Sequence, residues 1–322
     1  MMKMISLTLP EAAQRLQQAH TLLLLTHRRP DGDTVGSAAA LCRGLRSLGK
    51  EAAVLENPQL TDKYRPYLQG LTCPSPLPGA MTVSVDVAGR EMLCKGAGDL
   101  PVDFILDHHG TNPGFAPEGL IDPSAAACGE IIYSILRALG VCLDRAMAEA
   151  LYVAVSTDTG CFRYANTTAR TLRVAAACLE AGAEAYSINR QLFETTRLPR
   201  LRLNAYLAEH LELLQAGKIA LCLIPREIER ETAVTEDDLE DISNFPRNVE
   251  GVDLAVTFRT LDDGATKISI RSAPCYDASH VAAALGGGGH RGAAGATLHA
   301  GQDAAREQVL QALRNLGILS QA

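Results

Sequence analysis

Aspartate and histidine residues recur where apolar segments of this sequence end. His27 closes the run TLLLLTH, and Asp31 and Asp33 follow it in a turn, separated by one glycine. This spacing lets two carboxylates face neighbouring positions, as hard divalent cations require. The same pattern returns at the ends of three later segments, which supply Asp86, Asp107, His108, His109 and Asp158. Taken singly, each aspartate is also typical of a turn or a helix cap.

Four of these aspartates and two of the histidines, brought together, would form a mixed oxygen and nitrogen ligand set. Carboxylates suit Mn²⁺ or Mg²⁺, and imidazoles favour Mn²⁺ over Mg²⁺. Two such ions can clamp a phosphate and hold a hydroxide for in-line attack on it. The residue types therefore predict phosphoester hydrolysis with two Mn²⁺ ions in each active site, with Mg²⁺ or Co²⁺ as substitutes.

A second group of residues lies near the C-terminus, where four consecutive glycines, 286–289, precede His290. Such glycines leave backbone N–H groups open to an anion, and a histidine at the end suits a phosphate. No Gly-Lys-Ser/Thr follows, so the motif is not a Walker A loop. Arg271 ends the run TKISIR. Its guanidinium group either donates two hydrogen bonds to a second phosphate, or the residue is a surface arginine.

Strands alternate with helices over residues 1–190, which predicts an α/β domain with a mostly parallel sheet flanked by helices. In such sheets ligands bind at the carboxyl ends of the strands. Strands are expected at 20–27, 50–56, 82–87 and 102–109. Helices are expected at 5–19, 34–49, 128–139, 144–157 and 167–181.

The second half of the chain has a different composition. Residues 191–215 are polar, rich in arginine and helix-prone, which indicates a helical linker. Residues 216–322 predict a smaller α+β domain with a hairpin turn at the Asp-Asp-Gly of 262–264. Its strands are expected at 218–224, 252–259 and 266–271, and its helices near 235–244 and 277–285.

Composition limits the partners of the protein. The 322 residues carry a net charge of -7, which argues against a broad surface for long duplex nucleic acid. Nine scattered cysteines without a Cys-x-x-Cys pair favour reduced thiols. No apolar run reaches the roughly 18 residues of a membrane span, and no signal peptide is recognisable. We therefore expect a cytoplasmic protein that does not contact membranes.

In combination, these motifs resemble those of the DHH phosphoesterase superfamily, and the resemblance extends over essentially the whole chain. The segment HRRPDGDTVGS resembles the first motif, Asp86 the second, Asp107-His108-His109 the naming triad, and STDTGCF the fourth. GGGGH, with the preceding Ile-Arg-Ser, resembles the DHH-associated C-terminal domain. The length is most similar to the NrnA-type nano-RNases.

The resemblance implies a role for each residue. One Mn²⁺ would be held by His27, Asp31 and Asp86, and the other by Asp33, Asp86, His108 and Asp158. His109 would stabilise the charge on the scissile phosphate, and Asp107 would support the histidines. The far phosphate and the nucleotide would be bound across the interdomain cleft by Arg271, Gly287, Gly288, Gly289 and His290.

The implied substrates are small. They are single-stranded oligoribonucleotides of about two to five nucleotides, cut to mononucleotides, and 3′-phosphoadenosine 5′-phosphate, converted to AMP; such ligands offer few phosphates and need few basic residues. Alternatives are hydrolysis of a linear or cyclic dinucleotide, such as pApA or c-di-AMP, a manganese pyrophosphatase, and a nucleotide sensor without catalysis. The oligomeric state, a homodimer included, is left open.

Overall fold

The computed structural model describes residues 4–239 and 241–320. The chain divides into two compact units, Met1–Thr195 and Thr196–Ala322. No helix in the described ranges is long and apolar enough to cross a membrane.

The first unit is an α/β structure, as predicted. Its seven strands are β1 (Ile5–Ser6), β2 (Thr21–Leu25), β3 (Glu51–Leu55), β4 (Thr72–Cys73), β5 (Met81–Val85), β6 (Phe104–Asp107) and β7 (Glu118–Ile121). All neighbouring strands are parallel, in the order β1-β7-β6-β5-β2-β3-β4. The order reverses between β2 and β5, and ligands bind at such a switch point in open α/β sheets.

The helices of the first unit are α1 (Leu9–Gln18), α2 (Gly32–Ser47), α3 (Cys128–Ala138), α4 (Arg145–Asp158), α5 (Ala169–Glu180) and α6 (Ala185–Asn189). Alternate residues of β2 point to opposite faces of the sheet. Leu22 and Leu24 pack in the core with the helices. Leu23 and Leu25 pack in a second core that is formed largely by residues of the segments connecting the strands. The predicted helix 5–19 is shorter, because residues 5–6 pair with β7.

Close packing of α2 against α4 depends on the small residues of α2. A Cβ atom on Gly36 would lie 2.2 Å from the carbonyl oxygen of Ala150, so only glycine permits this approach. Asp33 lies in the first turn of α2, and Asp158 is the last residue of α4. The tight contact between the two helices therefore fixes the positions of two predicted metal ligands.

The second unit contains a six-stranded mixed sheet and four helices within the described residues. The helices are α7 (Leu198–Glu209), α8 (Arg226–Thr232), α9 (Ala278–Ala284) and α10 (Gln302–Asn315). The strands are β8 (Glu212–Leu214), β9 (Ile219–Ile224), β10 (Leu254–Thr260), β11 (Thr266–Ser272), β12 (Gly288–His290) and β13 (Ala293–Leu298). Their order is β12-β13-β11-β10-β9-β8, and α9 and α10 pack on one face.

Two expectations for the second half differ from the structure. Most of the predicted linker, 191–215, belongs to the second unit, because α7 buries Leu203 and Leu207 against Cys222 and Ile224 of β9. Pro199 lies in the first turn of α7, where its missing N–H has no intrahelical acceptor. The predicted helix at 235–244 is replaced in its described part by separate 3₁₀ turns.

A third difference concerns the glycine run, whose composition predicts backbone N–H groups that are open to an anion. Gly288 and Gly289 instead pair with β13 as part of the edge strand β12. A Cβ on Gly287 would lie 2.1 Å from the carbonyl oxygen of Gly295, so this glycine permits close strand approach. Of these three glycines, only Gly288 has no atom of a described residue, apart from its chain neighbours, within 4 Å of the position that a Cβ would occupy. The glycines therefore permit close packing of the strands, in addition to any role in ligand binding.

Candidate metal centre

The turn after β2 supplies the first group of polar atoms. Asp31 caps α2: its Oδ1 accepts hydrogen bonds from the backbone N–H groups of Asp33 and Thr34 at 3.1 and 3.2 Å. Its other oxygen, Oδ2, lies 3.5 Å from Nε2 of His27. The cap and the metal-ligand interpretations of this aspartate are therefore compatible, since each uses a different oxygen.

Asp86 directly follows β5 and lies between His27 and His108. Its Oδ2 is 4.0 Å from Nε2 of His27, and its Oδ1 is 3.4 Å from Nε2 of His108. The backbone adopts a left-handed conformation, φ 58°, which is uncommon for a residue other than glycine. Its Oδ1 is buried and has no hydrogen-bond partner among the described residues. A buried carboxylate oxygen without a donor is costly unless a cation contacts it.

Asp33 is held by the N-terminus of α3. Its Oδ2 accepts from the backbone N–H of Cys128 at 2.6 Å, and its Oδ1 accepts from that of Gly129 at 2.9 Å. The hydroxyl of Ser37 donates to the same Oδ1 at 3.0 Å. The N-terminus of a helix favours negative charge, so this carboxylate is fixed in place although it is fully buried.

The histidines after β6 are oriented by their Nδ1 atoms. Nδ1 of His108 lies 3.2 Å from the carbonyl oxygen of Ala125, which can only accept, so this nitrogen donates. Its Nε2 then points to carboxylates, 3.4 Å from Oδ2 of Asp158 and 3.8 Å from Oδ2 of Asp33. Hydrogen bonding of the distal ring nitrogen in this way is typical of metal-binding histidines.

Asp107 does not join the carboxylate cluster but supports its neighbours. Its Oδ1 accepts from the backbone N–H of His108 at 2.8 Å and from Nδ1 of His109 at 2.7 Å. Its Oδ2 accepts from the side chain of Asn112 at 2.6 Å. Burial alone would raise the pKa of Asp107, but the hydrogen bonds from His109 and Asn112 lower it. Asp107 therefore remains an acceptor that orients His109.

The electrostatics of the cluster favour a cation. Burial, followed by repulsion from Asp33 and Asp31, raises the pKa of both Asp86 and Asp158 well above its ordinary value. Burial likewise raises the pKa of Asp33. A divalent cation would neutralise this mutual repulsion and satisfy the orphaned Asp86 oxygen. Among the described residues, three groups have ligand atoms within 4.8 Å of one another: His27, Asp31 and Asp86; Asp33, His108 and Asp158; Asp86, His108 and His109. The residues therefore fit a pair of divalent ions.

The predicted substrate residues lie in the second unit. Arg271 of β11 and His290 of β12 both pair with Ala293 of β13, so the two side chains belong to one row and the same face of the sheet. Nε of Arg271 donates to Oδ1 of Asn244 at 3.2 Å. Residues in one row of a sheet are suited to contact a single ligand.

The sequence alone does not single out three residues that support the candidate site through side-chain hydrogen bonds. Ser37 and Asn112 hydrogen bond to Asp33 and Asp107, and Asn166 donates to the carbonyl oxygen of Asp158 at 3.1 Å. Ser37 lies one helical turn after Asp33, a spacing that predicts contact once the helix is assigned. The partners of Asn166 depend on a loop conformation that has no signal in the sequence.

Comparisons with known proteins identify the family of this chain. Residues 21–155 match the N-terminal domain of the DHH family, and residues 218–316 match the DHHA1 domain. A Thermus thermophilus protein named bifunctional oligoribonuclease and PAP phosphatase NrnA is 36% identical over 300 residues, 91% of this chain and 89% of the relative. A Bacillus subtilis protein of the same name is 25% identical over 293 residues, 89% of this chain and 92% of the relative.

Among solved structures, an exopolyphosphatase-related protein from Bacteroides fragilis has the same fold, with a TM-score of 0.84 at 22% identity over 98% of both chains. The matched domains account for both units of this protein, and the Thermus relative is similar over nearly its whole length. The chain therefore belongs to the DHH family and carries a DHHA1 domain in its second unit.

Proposed function

We propose that this protein is an Mn²⁺-dependent phosphoesterase that cleaves short oligoribonucleotides to mononucleotides and converts 3′-phosphoadenosine 5′-phosphate to AMP. The convergence of His27, Asp31, Asp33, Asp86, His108 and Asp158 at one edge of the sheet is the observation that carries the proposal. The names of the Thermus and Bacillus relatives support the choice of substrates.

The ligands divide between two ions in this proposal. His27, Asp31 and Asp86 hold one ion, and Asp33, Asp86, His108 and Asp158 hold the other. The two oxygens of Asp86 support its role as the bridge, since Oδ2 faces His27 and Oδ1 faces His108. When bound, two divalent ions supply Lewis acidity to the phosphate and an activated water for its hydrolysis.

His109 and Asp107 complete the catalytic arrangement in this proposal. The hydrogen bond from Nδ1 of His109 to the Asp107 carboxylate fixes the orientation of the imidazole ring and the position of its Nδ1 proton. We assign the ring to the phosphate, where it stabilises the charge that develops in the transition state. Asp107 acts on the substrate only through this histidine.

In the second unit, we assign substrate binding to Arg271, Gly287, Gly288, Gly289 and His290. A guanidinium and an imidazole in one row of the sheet suit a phosphate or the nucleotide attached to it. Because β13 pairs with the glycines, Gly288 is the position of this strand most open to a ligand. This unit would then supply substrate recognition and the first unit the chemistry.

The proposal is tested with a substrate panel after metal removal and reloading with Mn²⁺. The panel contains a dinucleotide, a pentanucleotide, a long RNA, 3′-phosphoadenosine 5′-phosphate, pApA, c-di-AMP and pyrophosphate. We expect turnover of the short RNAs and the bisphosphate, and none by Asp86→Asn, which controls for contaminating nucleases. Turnover of pyrophosphate alone, or of no compound, would contradict the proposal; preference for pApA or c-di-AMP would replace the substrate assignment.

A further inference from the structure

Asn166 lies in the loop after α4 and links two segments of the first unit. Its Nδ2 donates to the carbonyl oxygen of Asp158 at 3.1 Å and to that of Ala126 at 3.1 Å. Asp158 is the last residue of α4, where carbonyl groups lack intrahelical donors. A single amide therefore connects the end of α4 to the segment that precedes α3.

The segment reached by Asn166 contacts two of the proposed metal ligands. The carbonyl oxygen of Ala125 accepts from Nδ1 of His108, and the backbone N–H groups of Cys128 and Gly129 donate to Asp33. Residues 125–129 thus fix the side chains of His108 and Asp33 through backbone hydrogen bonds. The amide of Asn166 extends this support to Asp158, the third member of the same group.

These contacts form a closed ring. Nε2 of His108 lies 3.4 Å from Oδ2 of Asp158, whose carbonyl oxygen is bound by Asn166, which in turn binds the residue next to Ala125. The carboxylates of Asp158 and Asp33, which both lie near Nε2 of His108, repel each other when no cation is present. A hydrogen bond that ties the end of α4 to residues 125–129 opposes their separation.

The loop that carries Asn166 reverses direction directly after α4, through backbone conformations that are strained. Gly160, Cys161 and Phe162 have φ angles of 55°, 57° and 63°, three consecutive left-handed residues. Residues other than glycine keep such angles only where the surroundings impose them, commonly at functional sites. The backbone N–H groups of Arg163 and Tyr164 both donate to the carbonyl oxygen of Thr159, which holds the reversed chain in place.

We infer that Asn166 is a positioning residue that sets the separation of Asp158 from His108 and Asp33, and thereby the affinity of one of the two metal positions. The inference rests on the proposed two-ion centre. Asn166 is exposed, so its truncation removes no core packing. Side chains that orient metal ligands typically account for 10–100-fold in metal affinity.

The test measures Mn²⁺ binding to the metal-stripped protein by isothermal titration calorimetry, without substrate. We expect Asn166→Ala to weaken one of two binding events by about 10–100-fold and to leave the other unchanged. Asn166→Asp should weaken it further, because a carboxylate would face two carbonyl oxygens. Asn166→Gln keeps the amide and should recover part of the affinity.

Arg163→Ala is the matched control. Arg163 lies in the same loop, and its Nε donates to the carbonyl oxygen of Gly160 rather than to that of Asp158 or Ala126. It should bind Mn²⁺ like the wild type, and every variant should still unfold cooperatively in EDTA. Equal Mn²⁺ affinities in wild type and Asn166→Ala, or equal losses in Arg163→Ala, would overturn this inference alone. A wild-type protein that binds no Mn²⁺ would overturn the proposed metal centre as well.

Discussion

Oδ1 of Asp107 and Nδ1 of His109 are joined by a hydrogen bond of 2.7 Å, although only one residue separates them in the chain. The carboxylate is fully buried at the end of β6, whereas the imidazole is partly exposed. The hydrogen bond therefore connects the rigid sheet to a ring that a ligand can reach. It gives Asp107 a role in orienting His109, which differs from the metal ligation that we propose for His108.

The first prediction concerns Asp107→Asn, which removes the charge but preserves the shape of the side chain. We expect kcat to fall by about 10–100-fold, because His109 loses its charged acceptor, while Mn²⁺ stoichiometry is unchanged. Steady-state kinetics and metal analysis measure the two effects. Asp103→Asn, just before the start of the same strand, is the control, since Asp103 hydrogen bonds to Thr82 instead. A loss of bound metal in Asp107→Asn would contradict this assignment.

The second prediction concerns the proposed bridge. Asp86→Ala should abolish activity and weaken Mn²⁺ binding at both positions, because each oxygen of Asp86 faces a different histidine. Asp86→Asn distinguishes this effect from misfolding, since asparagine tolerates the left-handed backbone at φ 58° better than alanine does. Equilibrium dialysis counts the ions. Retention of most activity in either variant would show that Asp86 is not a shared ligand.

The third prediction concerns stability without metal. At a concentration 100 times its dissociation constant, one bound ion stabilises the folded state by about 2.7 kcal/mol. For a unit of this size, that should raise the melting temperature of the first unit by roughly 5–10 °C. Differential scanning calorimetry in EDTA and in MnCl₂ measures the shift. The same shift in Asp86→Asn would mean that Mn²⁺ binds elsewhere.

The side chains that converge at the candidate centre could be predicted from the sequence because strand ends are visible in it. An apolar run that stops at His27 or before Asp86 marks the end of a strand, and parallel strands place such ends along one edge. The structure brings both residues to that edge, with Asp33 and Asp158 delivered by α2 and α4. Turn and cap interpretations do not conflict with this outcome, as the two oxygens of Asp31 demonstrate.

The remaining features depend on contacts between distant segments. The glycines of 286–289 indicate an open loop when taken alone, because nothing in their sequence reveals that β13 approaches them closely. Of the four leucines of α7, Leu198 and Leu201 are exposed and only Leu203 and Leu207 are buried, so the sequence does not predict its burial against β9. Asn166 donates to two carbonyl oxygens, 8 and 40 residues away in the chain. The left-handed turn that brings it to them cannot be predicted from the sequence.

The fourth prediction tests the packing that positions Asp33 and Asp158. Gly36→Ala places a methyl group against the carbonyl oxygen of Ala150 and should lower the free energy of unfolding by about 1–3 kcal/mol, despite the better helix propensity of alanine. Denaturant unfolding measures the loss. Gly98→Ala is the control, because in the described part of the chain no atom beyond its two neighbours lies within 4 Å of the added methyl group. An unchanged midpoint in Gly36→Ala would show that α2 and α4 can separate without cost.

The fifth prediction separates substrate binding from chemistry. Arg271→Ala should raise KM for 3′-phosphoadenosine 5′-phosphate by about 10–100-fold, the equivalent of one lost hydrogen bond to a charged group. Hydrolysis of bis(p-nitrophenyl) phosphate, which offers a single phosphate and no nucleotide, should not change. Lys267→Ala is the control, since Lys267 lies four residues earlier on the same strand and face. Equal losses with both substrates would place Arg271 in the catalytic machinery, and no loss with either would make it a surface arginine.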